Sequence, residues 1–210
     1  MTHQLSPTET AALIVRRDRA FKAIAAHVGP PPAPRRVRVD ERFATLVRSI
    51  TFQLLATKAA TTIHRRVAEI CGGHVSVESV LAAGTGRLRE AGLSGTKAAA
   101  MVDLAEHVAD GRVRLEAHGR MSDDAVTREV TRVHGIGPWT AEMYLMFTLG
   151  RPDVWPVLDL GVRRGWSQLH GLDKMVSPQE LRALGEPFAG VRSGVAWYCW
   201  STADEDAWDN

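Results

Sequence analysis

Two glycines one residue apart, Gly135 and Gly137, interrupt two helical segments of the chain and are followed at once by Pro138. Glycine allows the positive φ that a tight turn needs, and proline suits the first position of a helix. We therefore predict a tight hairpin with positive φ, anchored in the core by Ile136. Its unpaired N–H groups and the dipole of the following helix would bind a phosphate oxygen. The same residues also suit a plain turn between two helices.

The rest of the chain has a helical pattern, and no segment alternates convincingly between apolar and polar residues. Ser6 and Glu9 have the spacing of a capping box and should begin a helix that runs to about His27. Asp40 is predicted to cap the next helix. Apolar faces at helical spacing follow at Phe43, Leu46, Val47 and Ile50, and then at Ala59, Ala60, Ile63, Val67 and Ile70. These features predict an all-α fold.

Composition narrows the class of protein. The 210 residues, 45% of them hydrophobic, suffice for one sizeable core or two small lobes. No apolar run approaches the ~18 residues of a membrane span, and residues 1–12 lack the pattern of a secretory signal. The two cysteines, Cys71 and Cys199, cannot by themselves hold a zinc ion or an iron–sulfur cluster. We expect them to be buried, reduced thiols in a cytoplasmic protein.

The charge is unevenly distributed along the chain. The formal net charge is only +2, but four of the acidic residues lie among the last seven residues. The remaining chain is therefore more basic than the total suggests, which suits a surface that faces phosphates. Many cytoplasmic proteins have the same balance, so the charge alone excludes little.

Asp159 follows an apolar segment, residues 154–158, at the point where a new helix is predicted to begin. An aspartate at that position is a good N-cap. It is also well placed to present a charged carboxylate at the mouth of a cleft, because a helix N-terminus favours negative charge. One residue can serve both purposes, so the position alone leaves the two alternatives open.

The glycine hairpin and Asp159 together resemble a known family, the helix-hairpin-helix (HhH-GPD) DNA glycosylases, and within it the DNA-3-methyladenine glycosylase II family. The hairpin reads Gly135-Ile136-Gly137-Pro138-Trp139-Thr140-Ala141, and the segment that ends at the carboxylate reads Asp153-Val154-Trp155-Pro156-Val157-Leu158-Asp159. The resemblance extends over most of the chain, with matching segments at residues 43–60, 92–98, 103–105, 135–143, 153–165 and 192–197. The combination of hairpin and aspartate is far more specific than either part alone.

The resemblance implies an all-α fold of two helical lobes with a DNA-binding cleft between them and no iron–sulfur cluster. Residues 1–34 would form an N-terminal helix and a proline-rich connector packed on the second lobe, residues 35–202 the glycosylase core, and residues 203–210 an acidic tail. It further implies a monofunctional enzyme of base excision repair that removes alkylated purines of the 3-methyladenine and 7-methylguanine type. Its partner would be damaged double-stranded DNA, and we expect a cytoplasmic, nucleoid-associated monomer.

The same resemblance makes Asp159 the catalytic carboxylate. Cleavage of an N-glycosidic bond builds positive charge on the sugar, which a carboxylate stabilises while it orients or deprotonates a water molecule. Alkylated purines are cationic and leave readily, so no strong general acid is needed. Family members that also nick DNA carry a lysine two residues after the last hairpin glycine, whereas this chain has Trp139 there. We therefore expect no lyase activity.

The resemblance also assigns the DNA contacts. The DNA-binding hairpin comprises His134, Gly135, Ile136, Gly137 and Thr140. The wedge that fills the gap left by an extruded base comprises Gln53 and Leu54. Leu54 equally suits core packing at the end of a helix, so the residue type alone does not decide its role.

A base pocket and an ion site complete the expectations. The pocket is predicted at Trp139, Met143 and Trp155, because an indole face binds a flipped, cationic base well. Trp139 also suits a helix core, and Trp197 and Trp200 are predicted to be core residues. By resemblance, the main-chain carbonyls of Thr131, Val133 and Ile136 are expected to hold Na⁺ or K⁺, with no other cofactor required.

One departure from the family pattern bears on the substrate. The family usually has two consecutive aspartates at the catalytic position, and Leu158 replaces the first of them. In this respect the chain resembles the adenine-removing relatives, but it lacks their four clustered cysteines. Two alternatives therefore stay open. The chain could be a glycosylase for a deaminated or mismatched base, or a non-catalytic module that binds damaged DNA.

Overall fold

The computed structural model of the chain describes residues 5–53, 55 and 57–205. Within those residues every regular element is helical, which confirms the all-α prediction. The described residues form eleven α-helices, which are α1 (Pro7–Arg17), α2 (Lys22–Val28), α3 (Arg42–Phe52), α4 (Thr57–Ile70), α5 (Val77–Glu90), α6 (Gly95–Ala109), α7 (Asp123–Val130), α8 (Pro138–Phe147), α9 (Leu160–Leu169), α10 (Pro178–Leu184) and α11 (Arg192–Glu205). None of these helices combines the length and the apolar character that crossing a membrane requires.

The chain forms two compact units. The central unit is Arg36–Gly150, and the terminal unit joins Met1–Arg35 to Arg151–Asn210. Residues 1–34, predicted to form a helix and a connector that pack on the second lobe, belong to the same unit as the later part of the predicted core. Helix α11 continues to Glu205 and so passes the predicted start of the acidic tail, while residues 206–210 lie outside the described residues.

The central unit is built around α3, which packs against α4, α6 and α8. The predicted apolar face of α3 is confirmed, because Phe43, Leu46, Val47 and Ile50 are all buried. The predicted face of α4 is only partly correct, since Ala60 and Val67 are fully buried but Ala59 is exposed. Successive residues of a helix point about 100° apart, so with Ala60 directed into the core Ala59 points toward solvent.

Aromatic side chains fill the core of the terminal unit. The ring of Phe21 lies 5.7 Å from that of Trp166 and 5.8 Å from that of Phe188, both in edge-to-face arrangements. Helix α9 packs most extensively against α11. At this crossing a Cβ on Gly165 would lie 1.8 Å from the carbonyl oxygen of Cys199, so only glycine permits the observed approach.

Local side-chain bonds decide where the helices begin. The capping box of Ser6 and Glu9 is confirmed at the start of α1. The predicted single helix to His27 is wrong, because Asp18 adopts an extended backbone and its side chain accepts the N–H of Ala20, which starts a new turn. Asp40 is not the cap of α3 either, since its carboxylate pairs with Arg38 and lies in a short 3₁₀ turn before the helix.

Candidate functional site

The glycine hairpin lies in the central unit, between α7 and α8. Gly135 has a φ of 82°, and the N–H of Ile136 donates to the carbonyl of Val133 at 3.1 Å. Ile136 is buried, so its predicted anchoring role in the hairpin is confirmed. The predicted positive φ of the hairpin is thus found at Gly135, whereas Gly137 is extended, with φ −91° and ψ 176°, as the N-cap of α8. An N-cap has an extended backbone in any helix, so no left-handed conformation is needed there.

Helix α6 supports the outer part of the hairpin. A Cβ on Gly135 would lie 2.8 Å from the Cβ of Ala100, closer than two carbons can approach. The N–H of the exposed residue His134 donates to Oδ2 of Asp103 at 2.6 Å. Residue 135 therefore has to be glycine for two reasons, the positive φ of the turn and the close contact with α6.

The N-terminal end of α8 faces solvent. Gly137 and Pro138 are exposed, and no side chain caps the first turn of the helix. Backbone N–H groups at such a terminus, with the helix dipole behind them, suit a phosphate oxygen. This geometry is the one that the predicted hairpin requires for contact with a nucleic-acid backbone.

Gln53 links the end of α3 to the hairpin. Its side-chain amide nitrogen donates to the carbonyl of Gly135 at 3.0 Å and to Oγ1 of Thr140 at 2.9 Å. Thr140 is 2% exposed, so its side chain faces the interior and only its backbone N–H is left for a DNA contact. The other predicted wedge residue, Leu54, lies outside the described residues.

Lys97 fixes the same end of α3. Its ammonium group donates to the carbonyls of Thr51 and Gln53, at 2.9 and 2.5 Å, and burial lowers the pKa of this side chain. A cation at a helix C-terminus satisfies carbonyls that have no partner within the helix. Residue types did not point to this contact, because Lys97 belongs to a different helix from the carbonyls that it binds.

Two of the predicted pocket residues lie on α8. Trp139 is half-buried in the first turn, and Met143 is buried one turn later. Residues four apart share a face of a helix, so the indole and the thioether lie on one side of α8. The third predicted pocket residue, Trp155, belongs to the terminal unit.

Trp155 lies in the core of the terminal unit. Its indole N–H donates to the carbonyl of Leu181 at 2.8 Å, and its ring meets that of Trp166 edge-on at 5.9 Å. The backbone of Gly185 approaches the indole so closely that a Cβ there would lie 2.3 Å from Nε1. With its polar group satisfied and its faces packed, Trp155 has the environment of a structural residue, which favours that role over a place in a base pocket.

Asp159 is the N-cap of α9 in the terminal unit. Its Oδ1 atom accepts the backbone N–H of Val162 at 2.8 Å and the indole N–H of Trp200 at 2.9 Å. The N-cap alternative is thus confirmed, and it leaves a catalytic role open because the carboxylate is only half-buried. The contact with Trp200 was missed, since that residue is 41 positions away and was predicted to be a core residue.

The segment that leads to Asp159 is tied to the start of α11. Arg192 donates to both carboxylate oxygens of Asp153, at 2.7 and 2.8 Å, and so forms a salt bridge within the terminal unit. Burial raises the pKa of the Asp153 carboxyl, but the hydrogen bonds from Arg192 outweigh it and hold the pKa below its usual value. Ser193 adds a bond to the carbonyl of Arg151 at 2.8 Å and accepts the N–H of Val154 at 3.0 Å.

Two small residues line the contact between Asp159 and α11. A Cβ on Gly161 would lie 2.8 Å from the Cδ1 atom of Trp200 and 3.2 Å from Oδ1 of Asp159. Cys199 is fully buried, and burial, assisted by the negative charge of Asp159, raises the pKa of its thiol. Both cysteines are buried and free, as predicted.

Apolar side chains flank the carboxylate on the exposed side. Leu158 is 57% exposed and Leu160 is 62% exposed, on either side of Asp159 in the chain. Large exposed apolar side chains cost little singly, but a pair that borders a charged group makes a surface suited to a partly apolar ligand. Among the described residues, no group of three or more His, Cys, Asp or Glu side chains is arranged to hold a metal ion.

Comparison with known proteins places this geometry in a family. A family model described as HhH-GPD superfamily base excision DNA repair protein matches residues 47–189. The chain is 31% identical to DNA-3-methyladenine glycosylase 1 of Schizosaccharomyces pombe over 189 residues, which cover 89% of this chain and 83% of that relative.

Solved structures agree with the sequence matches. The 3-methyladenine DNA glycosylase Mag1 of S. pombe, in complex with abasic DNA, has a TM-score of 0.86 and 30% identity, covering 94% of this chain and 97% of that chain. The DNA-3-methyladenine glycosidase of Bacillus halodurans has a TM-score of 0.81 and 32% identity, covering 97% of this chain and 92% of that chain.

Proposed function

Because this chain belongs to the HhH-GPD superfamily of base excision DNA repair proteins, we propose that it is a monofunctional DNA glycosylase for alkylated purines. It extrudes a base of the 3-methyladenine or 7-methylguanine type from double-stranded DNA and hydrolyses the N-glycosidic bond. The observation that carries the proposal is the carboxylate of Asp159, held as the N-cap of α9 by two hydrogen bonds and bordered by the exposed Leu158 and Leu160.

Asp159 supplies the negative charge that the reaction needs. As the C1′–N bond breaks, its electron pair leaves with the base and positive charge develops on the sugar. The carboxylate stabilises that charge, and a water molecule adds its oxygen to C1′ and passes one proton to the carboxylate, which releases it to solvent. The positions of the α9 N–H and the Trp200 indole fix the carboxylate before substrate binds, so little reorganisation is needed during the reaction.

The lesion itself supplies the rest of the driving force. A purine alkylated at N3 or N7 carries a positive charge and leaves as a neutral base, so no protein group has to protonate it. The half-buried indole of Trp139 and the thioether of Met143 on the same face of α8 offer a soft, electron-rich surface for such a cation. We assign the base pocket to these two residues.

In this proposal the hairpin binds the DNA backbone. The exposed N-terminal end of α8 binds a phosphate through its N–H groups, with Gly135, Ile136 and Gly137 shaping the turn and His134 beside it. Contacts with phosphates do not depend on the DNA sequence, as a repair enzyme requires. Gln53 connects this hairpin to the segment that carries the predicted wedge residue Leu54.

The hairpin carries no lysine for lyase chemistry. Trp139 occupies the position of the family's Schiff-base lysine, and Lys97 is engaged as the cap of α3. The amine of Lys97 would have to give up two carbonyl partners before it could attack a sugar. Hydrolysis, which leaves an abasic site in an intact strand, is therefore the proposed outcome.

The hairpin carbonyls suit a monovalent cation. Thr131 is the C-cap of α7, where the last-turn carbonyls lack partners within the helix, and the carbonyl of Val133 accepts the N–H of Ile136. Uncharged oxygens of this kind fit Na⁺ or K⁺ better than a divalent ion. The carbonyls of Thr131, Val133 and Ile136 would hold the ion, which would add positive charge beside the phosphate.

A panel of duplexes, each with one lesion, tests the proposal. The panel contains 3-methyladenine, 7-methylguanine, uracil, hypoxanthine and a mismatched adenine, and each strand is analysed with and without hot alkali. We expect release of the alkylated purines, with strand breaks only after alkali. Breaks before alkali would contradict the monofunctional assignment, and release of only deaminated or mismatched bases would contradict the lesion class. Tight binding of every lesion without release would make the chain a binding module.

A further inference from the structure

We infer that Trp200 is a positioning residue for Asp159, and that its indole N–H holds the catalytic carboxylate in the orientation that the chemical step requires. The inference rests on the proposed function and deepens it. Trp200 reaches the carboxylate from α11, whereas the other observed donor, the N–H of Val162, belongs to α9. The carboxylate is therefore held from two separate elements.

A second donor changes what the cap can do. A capping aspartate held by one backbone N–H can still rock about its side-chain bonds, because a single hydrogen bond constrains distance more than direction. Here the indole nitrogen and the Val162 nitrogen meet the same oxygen, Oδ1, at 2.9 and 2.8 Å. Two donors converging on one oxygen fix the plane of the carboxylate and with it the position that the negative charge presents to a sugar.

The glycines of α9 are what allow the indole to come so close. Gly161 and Gly165 lie four residues apart, on one face of the helix, and both face α11. A Cβ at Gly165 would collide with the backbone of Cys199, and a Cβ at Gly161 would collide with the ring of Trp200 itself. Gly165 thus lets the two helices approach each other, and Gly161 leaves the space in which Trp200 reaches Asp159.

The indole N–H of Trp200 donates to a side chain and not to the main chain of its own unit's core. Trp200 is half-buried, whereas its neighbours Tyr198 and Cys199 are fully buried. The buried Trp155 offers the contrast, because its N–H donates to a main-chain carbonyl, that of Leu181. An indole N–H of a half-buried tryptophan that is directed at the carboxylate of the proposed site points to a role in the reaction.

Trp200→Phe tests the inference, because it keeps an aromatic ring and removes only the donor. Single-turnover base release and the Kd for lesion-containing duplex are measured for wild type, Trp200→Phe and the control Trp197→Phe, a half-buried tryptophan one turn away on α11. We expect Trp200→Phe to lower the rate constant of release between about ten- and a hundredfold, the value of a hydrogen bond to a charged group, with Kd changed less than about twofold. Trp197→Phe should match wild type.

Gly161→Ala displaces the indole without removing it, and its Cβ would also lie 3.2 Å from Oδ1 of Asp159. We expect base release to be at least as slow as in Trp200→Phe, because the crowded ring can no longer donate to the carboxylate. Gly86→Ala is the matched control, since a Cβ there meets nothing within 4 Å. Base release by Gly161→Ala at the wild-type rate would overturn the inference.

The indole resonance of Trp200 provides a readout that needs no substrate. In ¹H–¹⁵N spectra the Trp200 signal, assigned by its loss in Trp200→Phe, should move in Asp159→Asn more than the other indole signals. An unmoved signal, or a Trp200→Phe enzyme that releases base at the wild-type rate, overturns the positioning role alone. A wild-type protein that releases no base from any lesion would instead overturn the proposed function, so the two failures are distinguishable.

Discussion

Gly135 and Gly137 share one hairpin, yet each meets a different physical requirement. Gly135 has a left-handed backbone and contacts α6. Gly137 has an extended backbone, and a Cβ there would meet no atom within 4 Å. The sequence could predict the turn, because two glycines before a proline restrict the backbone locally. It could not assign φ to each glycine, since the extended N-cap of α8 depends on where the helix begins.

Gly135→Ala should damage both the fold and DNA binding. Its left-handed φ and the 2.8 Å approach to Ala100 should lower the free energy of unfolding by about 1–3 kcal/mol, measured by urea denaturation. We also expect weaker binding of an undamaged duplex at fixed salt, since the hairpin is distorted. Unfolding and binding that both equal wild type would contradict the assigned geometry.

Gly137→Ser is the matched control on the other side of Ile136. Its backbone angles are those of an N-cap, and no atom lies within 4 Å of its Cβ position, so stability should be kept or raised by a few tenths of a kcal/mol. The new hydroxyl would accept the N–H groups that the phosphate needs, so duplex binding should weaken without loss of stability. Unchanged duplex binding would mean that the terminus of α8 does not contact phosphate.

The packing of the elements depends on contacts between pairs of helices, whereas a sequence pattern describes one helix at a time. The apolar face of α3 was predictable from its own spacing, and so was the capping box of α1. The crossing of α9 and α11 was not, because its signal is a glycine on one helix and a backbone carbonyl on the other. Trp200 was missed for the same reason, since the partner of its N–H lies on a distant segment.

Gly165→Ala should disrupt the crossing of α9 and α11. The added Cβ would lie 1.8 Å from the carbonyl oxygen of Cys199, and backbone atoms cannot move aside as a side chain can. We expect a loss of about 3 kcal/mol or more in the free energy of unfolding. Gly86→Ala, which meets no neighbour, should change it by about 1 kcal/mol at most. Equal stability of the two variants would contradict the close helix contact.

A buried histidine should make the central unit sensitive to acid. His118 is fully buried between Tyr144, whose hydroxyl lies 3.0 Å from Nδ1, and Glu129, whose carboxylate lies 3.1 Å from Nε2. Burial lowers the pKa of His118 below its ordinary 6.5, although Glu129 opposes this shift. The unfolded chain therefore binds a proton more readily than the folded chain. Stability should be complete above about pH 6.5 and fall as the pH decreases below it.

His118→Gln removes this titration and tests the sign. Urea unfolding at pH 7.5 and 5.5 should show a smaller loss of stability on acidification in the variant than in wild type, although the variant is less stable at pH 7.5. The slope should not vanish, because burial also lowers the pKa of His64. An identical loss in both proteins would show that His118 does not titrate in this range.

At the scale of the whole molecule, the family and the all-α fold were both predictable from sequence, and both are confirmed. The hairpin and the aspartate are contiguous signals, and their combination is specific although each alone suits a plain turn or a helix cap. The division into two units was less visible, because the terminal unit joins the two ends of the chain. Pairing between remote segments leaves no local periodicity to detect.

The carboxylate of Asp159 is the catalytic group of the proposed reaction, and Asp159→Asn removes its charge while keeping its shape. Asparagine is an equally good N-cap, so α9 and the fold should be kept while the negative charge is lost. Single-turnover release of 7-methylguanine from a duplex should fall on the order of a hundredfold or more, with binding of the same duplex unchanged within about threefold. Release at the wild-type rate by a folded Asp159→Asn protein would contradict the account.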